Sequence, residues 1–416
     1  MKNNNKKNIK IINTFISNNI DSNQSYSWQI GYKNFGILLY GFCEWLHKNN
    51  EQNKYDNIFF LSRDGFILKK VYSILFPTEK TSYFYVSRRS LALPIASKRK
   101  EINEILNYLT LPPIFTIDIL LSVFQISVKE VQGELEKCKI SLDEVFKRKN
   151  FKEDQRIIEL VKLIFKKINA ISNQQEKLFN EYLEQEKFRG KIAIVDIGWH
   201  NSIQKSLIEL SKTESMHGYY MGVYDNAKRF EKPNNAFGYI YSYGNNMKQQ
   251  DKTFSFVSLF ETMFLAHEGT TIGYMKEKKK VFAKLAKYEY EQDDKNLAVI
   301  DDLQKGAIQF VYDFKNSGIS IELDEYVCSY NIIKFGSSPS KKDVNYFENI
   351  AFENYKKNNL INFNKNTFYY MFHPKAMIND FYLSGWRVAF LKKLIPFPFP
   401  HYFAFKLICT IFKGEK

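Results

Sequence analysis

Three short polar stretches hold residue types that bind phosphorylated sugars: "SRDG" at 62–65, "SRRS" at 87–90 and "DIGWHNS" at 196–202. Arg88 and Arg89 offer planar forks that neutralise an anion through paired N–H donors. Asp196 can accept hydrogen bonds from a sugar diol. Gly198, His200, Asn201 and Ser202 lead toward a helix, whose free N–H groups, with the Ser202 hydroxyl, suit a phosphate. Gly65 lets a backbone approach a ligand closely, with Ser62, Arg63 and Asp64 at its rim. Each stretch also has a plainer reading. An arginine pair after a strand is commonly a solvated edge, a strand-to-helix glycine a turn, and a lone histidine such as His200 a surface residue. A fourth cluster, "FETMFLAHEGTTIGY" at 260–274, brings Glu261, His267 and Glu268 near one another. No spacing in it matches a familiar metal-ligand set, so any metal ligands are unknown. Structural roles, acceptor binding, base catalysis and metal binding all stay open for it.

The elements around these stretches predict an α/β fold. The apolar run 58–61 reads as a buried strand. Residues 65–75 read as a helix, with Phe66, Leu68, Val71, Ile74 and Leu75 near helical spacing. A second strand is predicted at 83–86. Further along, 192–195 reads as a strand, "DIGWHNS" as a tight loop, and 203–210 as a helix with Ile203, Leu207 and Leu210 on one face. "GYYMGVY" and "FGYIYSYG" follow as strands. Short apolar runs between helices predict a parallel sheet covered on both faces. Such sheets bind ligands at the carboxyl ends of their strands, where helix N-termini hold anions. All three polar stretches fall at predicted strand ends.

Residues 100–188 are almost free of glycine and rich in Lys, Glu, Leu and Ile, which predicts a helical insertion within a catalytic domain of 25–275. Inside it, "ILLSVFQISVKEVQGEL" has a helix-turn-helix cadence. It lacks the basic fork of a recognition helix, so ordinary packed helices are expected, and nucleic acid is not the expected partner. Residues 276–416 read as a helical C-terminal region. Its end, 385–416, mixes aromatic and aliphatic residues with lysines, and Pro396, Pro398 and Pro400 interrupt it. It therefore lacks the roughly 20 apolar helical residues of a membrane span. Two readings compete: a segment at a membrane interface, with rings at headgroup depth and lysines toward anionic lipid, or a helix packed on the body.

At 416 residues and 44% hydrophobic content the chain has material for a sizeable core. Its 60 basic against 45 acidic residues give a net charge of +15, which suits an anionic partner. The Lys and Asn abundance can also reflect an AT-rich genome, so the pI carries no weight. Cys43, Cys138, Cys328 and Cys409 are widely spaced and form no CxxC pair. That argues against a disulfide framework or a zinc site and fits a reducing cytoplasm. The start, "MKNNNKKNIKIINTFISNN", lacks the apolar run and cleavage site of a signal peptide. A cytoplasmic protein is expected, with peripheral contact at the inner face of the cell membrane under the interfacial reading of 385–416.

In this order, "FFLSRDGFILKKVY", "YVSRRSLALP", "VDIGWHNSIQKSL" and "FETMFLAHEGTTIGY" resemble a bacterial polysaccharide-locus family often labelled as predicted haloacid-dehalogenase-superfamily hydrolases. In many members a true haloacid-dehalogenase phosphatase precedes a second module, and the resemblance is to that second module, over roughly 30–275. The chain has no DxDx[TV] nucleophile motif, so the hydrolase label is not carried over.

The second module looks like a phosphoribosyltransferase fold used as a glycosyltransferase. The resemblance implies transfer of 5-phosphoribosyl from phosphoribosyl pyrophosphate to a lipid-linked glycan acceptor in capsule or O-antigen synthesis. A partner phosphatase of haloacid-dehalogenase type would then leave ribofuranose. It also implies Mg²⁺, a pyrophosphate loop at Ser62–Gly65, Arg88 and Arg89 as pyrophosphate clamps, and Asp196 at the ribose. The chain departs from nucleotide-type phosphoribosyltransferases at Ile197, where they carry a second acid, and at "GWHNS", where they carry a Thr-Gly loop. Departure of pyrophosphate leaves an oxocarbenium-like sugar, and the acceptor attacks the opposite face with inversion. Asp64 and Glu261 are the candidate bases, unranked. A nucleotide-sugar transferase, and a non-catalytic scaffold of a glycan-assembly complex, are the alternatives.

Overall fold

The computed structural model describes residues 2–224, 235–353 and 357–412. Five strands form one sheet: β1 (Asn57–Leu61), β2 (Thr81–Phe84), β3 (Lys191–Trp199), β4 (Ser215–Val223) and β5 (Ala236–Tyr241). Their spatial order is β2-β1-β3-β4-β5, and every pair is parallel. The order reverses direction between β1 and β3, which is where open α/β sheets leave a crevice.

Alternating strand residues bury into two different layers, as the two-residue period of a pleated strand requires. Ile58, Phe60, Ala193, Val195 and Ile197 join one core. It also holds residues of α1 (Gly36–Asn53) and α2 (Gly65–Leu75), such as Phe42, Leu46, Ile67 and Val71. Phe59, Leu61, Ile192 and Ile194 join the other. That layer packs on α3 (Arg88–Ala96), α4 (Phe165–Gln185) and α5 (Ser202–Leu210), through residues such as Leu91, Phe179 and Leu207. The fold is thus α/β, a five-stranded parallel sheet flanked by helices on both faces.

The register aligns the strand ends. Phe60 lies opposite both Tyr83 and Val195, so Ser62, Tyr85 and Ile197 sit two residues further along at one level. β2 lies two residues earlier than the 83–86 predicted. β3 runs four residues past the predicted 192–195, so Asp196, Ile197, Gly198 and Trp199 are strand residues and not a loop. Gly198 makes this possible. Its φ is +104°, and a Cβ there would meet the Gly222 carbonyl oxygen at 2.6 Å, a contact no side chain tolerates. The ladder continues through Gly198 opposite Gly222 and Trp199 opposite Val223.

Residues 100–188 are mostly helical, with a short pairing of Ile114–Phe115 and Phe146–Lys147. Leu120, Leu121, Ile126, Val131 and Leu135, from the helix-turn-helix-like stretch, are buried in a core of this region's own. The helix that ends it, α4, belongs to both units: Ile168 lies in the local core, while Phe179, Tyr182 and Leu183 cover the sheet. After β5 come α6 (Val257–Phe264), a hairpin of β6 (Thr271–Glu277) and β7 (Lys280–Leu285), and α7 (Asp294–Lys315). The hairpin replaces the helix expected at the start of the C-terminal region. At the far end Trp386 is fully buried and its Nε1 donates to the Gly336 carbonyl at 2.7 Å. Val388–Leu391 are buried with it, so the first part of 385–416 is core.

Candidate active site

A cavity of about 770 Å³ opens at the carboxyl ends of β1, β2 and β3, within the range of small-molecule sites. The three polar stretches meet there. Ser62, Arg63, Asp64, Arg88, Arg89, Asp196, Gly198, His200, Asn201, Ser202 and Glu261 all line it.

β1 delivers the first stretch and α2 begins directly behind it. The Ser62–Arg63 peptide is cis. The Ser62 hydroxyl donates to the Val86 carbonyl at 3.2 Å and lies 3.3 Å from Thr271 Oγ1. Arg63 is ion-paired with Glu289, beyond β7. Gly65 does not line the cavity. A Cβ on it would meet the Phe60 carbonyl carbon at 2.9 Å, so its smallness seats α2 on β1.

Beyond β2, Ser87 caps α3. Its Oγ accepts from the N–H groups of Arg89 and Ser90 at 3.0 and 3.1 Å, and donates to the Thr271 carbonyl at 2.6 Å. The cap places Arg88 and Arg89 in the first turn of α3. A helix N-terminus repels cations and attracts anions, so two arginines there leave the spot electrostatically short of negative charge. Arg89 Nη2 reaches the Ser122 hydroxyl at 3.3 Å, and burial pulls its guanidinium pKa down.

At the end of β3, Asn201 takes a left-handed conformation (φ 55°) at the start of α5. Its Nδ2 donates to the Tyr243 hydroxyl at 2.9 Å, while its buried Oδ1 has no partner among the described residues. His200 is exposed at the rim, its ring centroid 5.3 Å from that of Tyr224. Because Gly198 and Trp199 are tied into the ladder, the N–H groups available to an anion are those of the first turn of α5, fewer than the loop reading implied.

Glu261 comes from α6. Trp199 Nε1 donates to its Oε1 at 2.8 Å, and the indole stacks on Tyr224 with centroids 5.2 Å apart. Three carboxylates thus share the crevice, and burial raises all of them: Asp64 to about 6, Glu261 to about 7 and Asp196 to about 8. Asp196 rises furthest because the charges of Asp64 and Glu261 act on it as well. Asp64 rises least because Arg63 and Arg88 offset its burial. Arg88 favours the ionised form of all three.

His267 and Glu268 do not line the cavity. His267 Nε2 lies 2.8 Å from Asp301 Oδ1, and Glu268 accepts from the hydroxyls of Tyr83 and Tyr85, the latter at 3.0 Å. Sequence reasoning assigned no role to Trp199, Tyr224, Ser122, Thr271, Lys287 or Glu289, all of which line the cavity. Trp199 stood inside a quoted stretch, and its type was the signal. Nothing in the lysine-rich run around 287–289 marked it as part of a site.

Asp64 and Asp196 are oxygen donors of the kind Mg²⁺ uses, usually one or two carboxylates completed by substrate phosphates and water. Among the described residues no group of three or more His, Cys, Asp or Glu side chains could hold a metal by itself. No protein-family model and no curated protein matches the chain.

Proposed function

We propose that the protein is a glycosyltransferase of surface-polysaccharide synthesis, moving 5-phosphoribofuranosyl from phosphoribosyl pyrophosphate to a lipid-linked glycan acceptor and releasing pyrophosphate. The observation that carries this reading is the meeting of a two-arginine helix N-terminus, a second helix N-terminus and three half-buried carboxylates in one crevice. A doubly phosphorylated sugar presents two anionic ends joined by a diol, and this arrangement offers complementary groups to each part.

In this reading Arg88 and Arg89 hold the pyrophosphate, and the first turn of α5 with Ser202 and Asn201 holds the 5-phosphate. Asp196 accepts from the ribose hydroxyls. Mg²⁺ would be held by Asp64 or Asp196 together with the donor's phosphates, and it supplies neutralising charge for the leaving group. Glu261 is the base we favour over Asp64. Its pKa near 7 suits proton abstraction at neutral pH, Trp199 fixes one of its oxygens, and the charges of Arg63 and Arg88 hold Asp64 closer to its ordinary acidity. The acceptor hydroxyl gives its proton to Glu261, its oxygen bonds to C1, and the C1–O bond to pyrophosphate breaks with the electron pair leaving on pyrophosphate. Electrostatic positioning of this kind commonly dominates such transfers. A partner phosphatase would then remove the 5-phosphate.

The stacked Trp199–Tyr224 pair in the cavity wall favours one second reading, a nucleotide-sugar donor whose base packs on the rings. A donor screen read by mass spectrometry separates the two. Pyrophosphate release and a mass gain of one phosphopentosyl unit on a glycan acceptor are expected. Turnover with a nucleotide sugar, and none with phosphoribosyl pyrophosphate, would replace the donor. An Asp196→Ala strain with its polysaccharide intact would point to a scaffold.

A further inference from the structure

The last 50 or so described residues carry an apolar surface that the fold leaves uncovered. In α8 (His401–Ile411), His401 and Phe405 face inward and are buried. Phe403, Leu407 and Ile411, at four-residue spacing, form an outer stripe. Phe403 is 65% exposed. The helix Thr367–Phe372 repeats the pattern: Tyr370 is buried, whereas Phe368, Met371 and Phe372 point outward, Phe372 being 77% exposed. Phe397 and Phe399 are exposed in the proline-interrupted turn before α8. Beneath the stripes the helices pack together: Pro374–Leu383 follows Thr367–Phe372 directly, and its buried Phe381 ring meets that of the inward-facing Phe405 of α8 at 6.2 Å.

Charge indicates the occupant. Residues 362–412 contain six basic side chains and one acidic, Asp380. Lys393 is paired with Glu348 and Lys406 with Asp251. Lys365, Lys375 and Lys392 have no acidic partner within 4 Å among the described residues. A second copy docking by this face would set like charge on like charge. Rings and aliphatic side chains flanked by unpaired lysines match a negatively charged bilayer surface instead. No helix among the described residues is long and apolar enough to cross a membrane.

We propose that the Thr367–Phe372 helix, the 397–399 turn and the outer stripe of α8 together dock on an anionic lipid surface. This face lies close to the crevice, because Phe254 lines the cavity and its ring stands 6.4 Å from that of Phe405. Docking therefore brings the site to within about one helix diameter, roughly 10 Å, of the membrane, where a lipid-borne acceptor would lie. The docking itself rests on the exposed surface alone, independently of the donor.

The test is co-sedimentation of the full chain with vesicles of mixed phosphatidylcholine and phosphatidylglycerol, against phosphatidylcholine alone. The native chain should partition onto the mixed vesicles and much less onto the neutral ones. The triple variant Phe372→Ser, Phe403→Ser, Leu407→Ser should lose at least about tenfold in partition while keeping the native thermal midpoint. Lys365→Glu with Lys375→Glu should erase the preference for anionic lipid. Failure of the native chain to bind mixed vesicles, or equal binding by the triple variant, overturns the proposal. So does a lipid-free dimer that the triple variant abolishes, which would make a second copy the occupant. None of these outcomes touches the donor assignment, since no turnover is measured.

Discussion

At the amino end of the sheet, just before β2, Glu79 accepts from Asn50 Nδ2 and the Tyr72 hydroxyl and is paired with His47. Nearby, the Tyr55 hydroxyl bonds Tyr219 at 2.6 Å and the imidazole of His217, and Asp56 takes the Lys191 N–H at 2.8 Å. At the carboxyl end, Glu261 has one donor among the described residues, Trp199. Asp196 takes the Ile197 N–H, and Asp64 is balanced through space by Arg63 and Arg88. A buried carboxylate with its donors in place strengthens the fold. One that lacks them costs stability, which persists where a ligand or a reaction uses the group. The difference teaches which acids to assign to structure and which to chemistry, and substitutions at the two ends should behave in opposite ways.

The largest effect should come from Glu261→Gln. With the donor that the screen returns, pyrophosphate release per enzyme should fall by roughly 10²–10⁴-fold, the range for loss of a general base, with the thermal midpoint unchanged or raised. A loss of only a few-fold, with Asp64→Asn falling by the larger factor, would exchange the two roles.

Glu79→Ala should do the reverse. It removes the acceptor of the buried Tyr72 hydroxyl and of the half-buried His47 and Asn50, which costs about 1–3 kcal/mol. The denaturant midpoint should drop accordingly, while specific activity of the remaining folded protein is retained. Lost activity at full stability would mean that the amino end also serves the reaction.

These assignments separate what the sequence makes legible from what it hides. The sheet is legible because 58–61 and 192–195 are uninterrupted apolar runs, and a strand buried on both faces has no polar period to obscure it. The helix Gly65–Leu75 matches its predicted bounds because apolar spacing and a flanking glycine agree. The convergence of the three polar stretches is legible because parallel strands end at one level.

The extent of β3 is hidden, since Gly198, Asn201 and Ser202 are turn residues by type, and only contact with Gly222 shows why the strand continues. The same limit applies to Gly65, whose role is packing. The partner of Arg63 is hidden for a different reason. Glu289 lies 226 positions away, and no local pattern encodes a contact at that range. His267 and Glu268 stand in the same sequence cluster as Glu261, yet α6 ends at Phe264. The chain then leaves the crevice before returning to it at Thr270 and Thr271, which one residue's type cannot reveal.

The smallest effect is the one that tests the electrostatic side of the comparison most directly. Asp196 has a folded pKa near 8 against an ordinary 3.8, so between those values the folded state keeps a proton that the unfolded chain has released. Stability from the protonated form is complete below about pH 4 and is lost as pH rises through about 8. Asn is a neutral near-isostere and cannot suffer that loss. Asp196→Asn should therefore match the native chain at about pH 4 and exceed it at about pH 9. One pKa unit corresponds to about 1.4 kcal/mol. The crevice admits water, so the expected gain is roughly 2 kcal/mol rather than the full shift, read from paired urea midpoints at the two pH values. Turnover should fall in the same protein, because the group that destabilises the fold is the one we propose meets the ribose. If Asp196→Asn instead weakens the protein at alkaline pH, the aspartate is partnered as Glu79 is, and the contrast between the two ends fails at its centre.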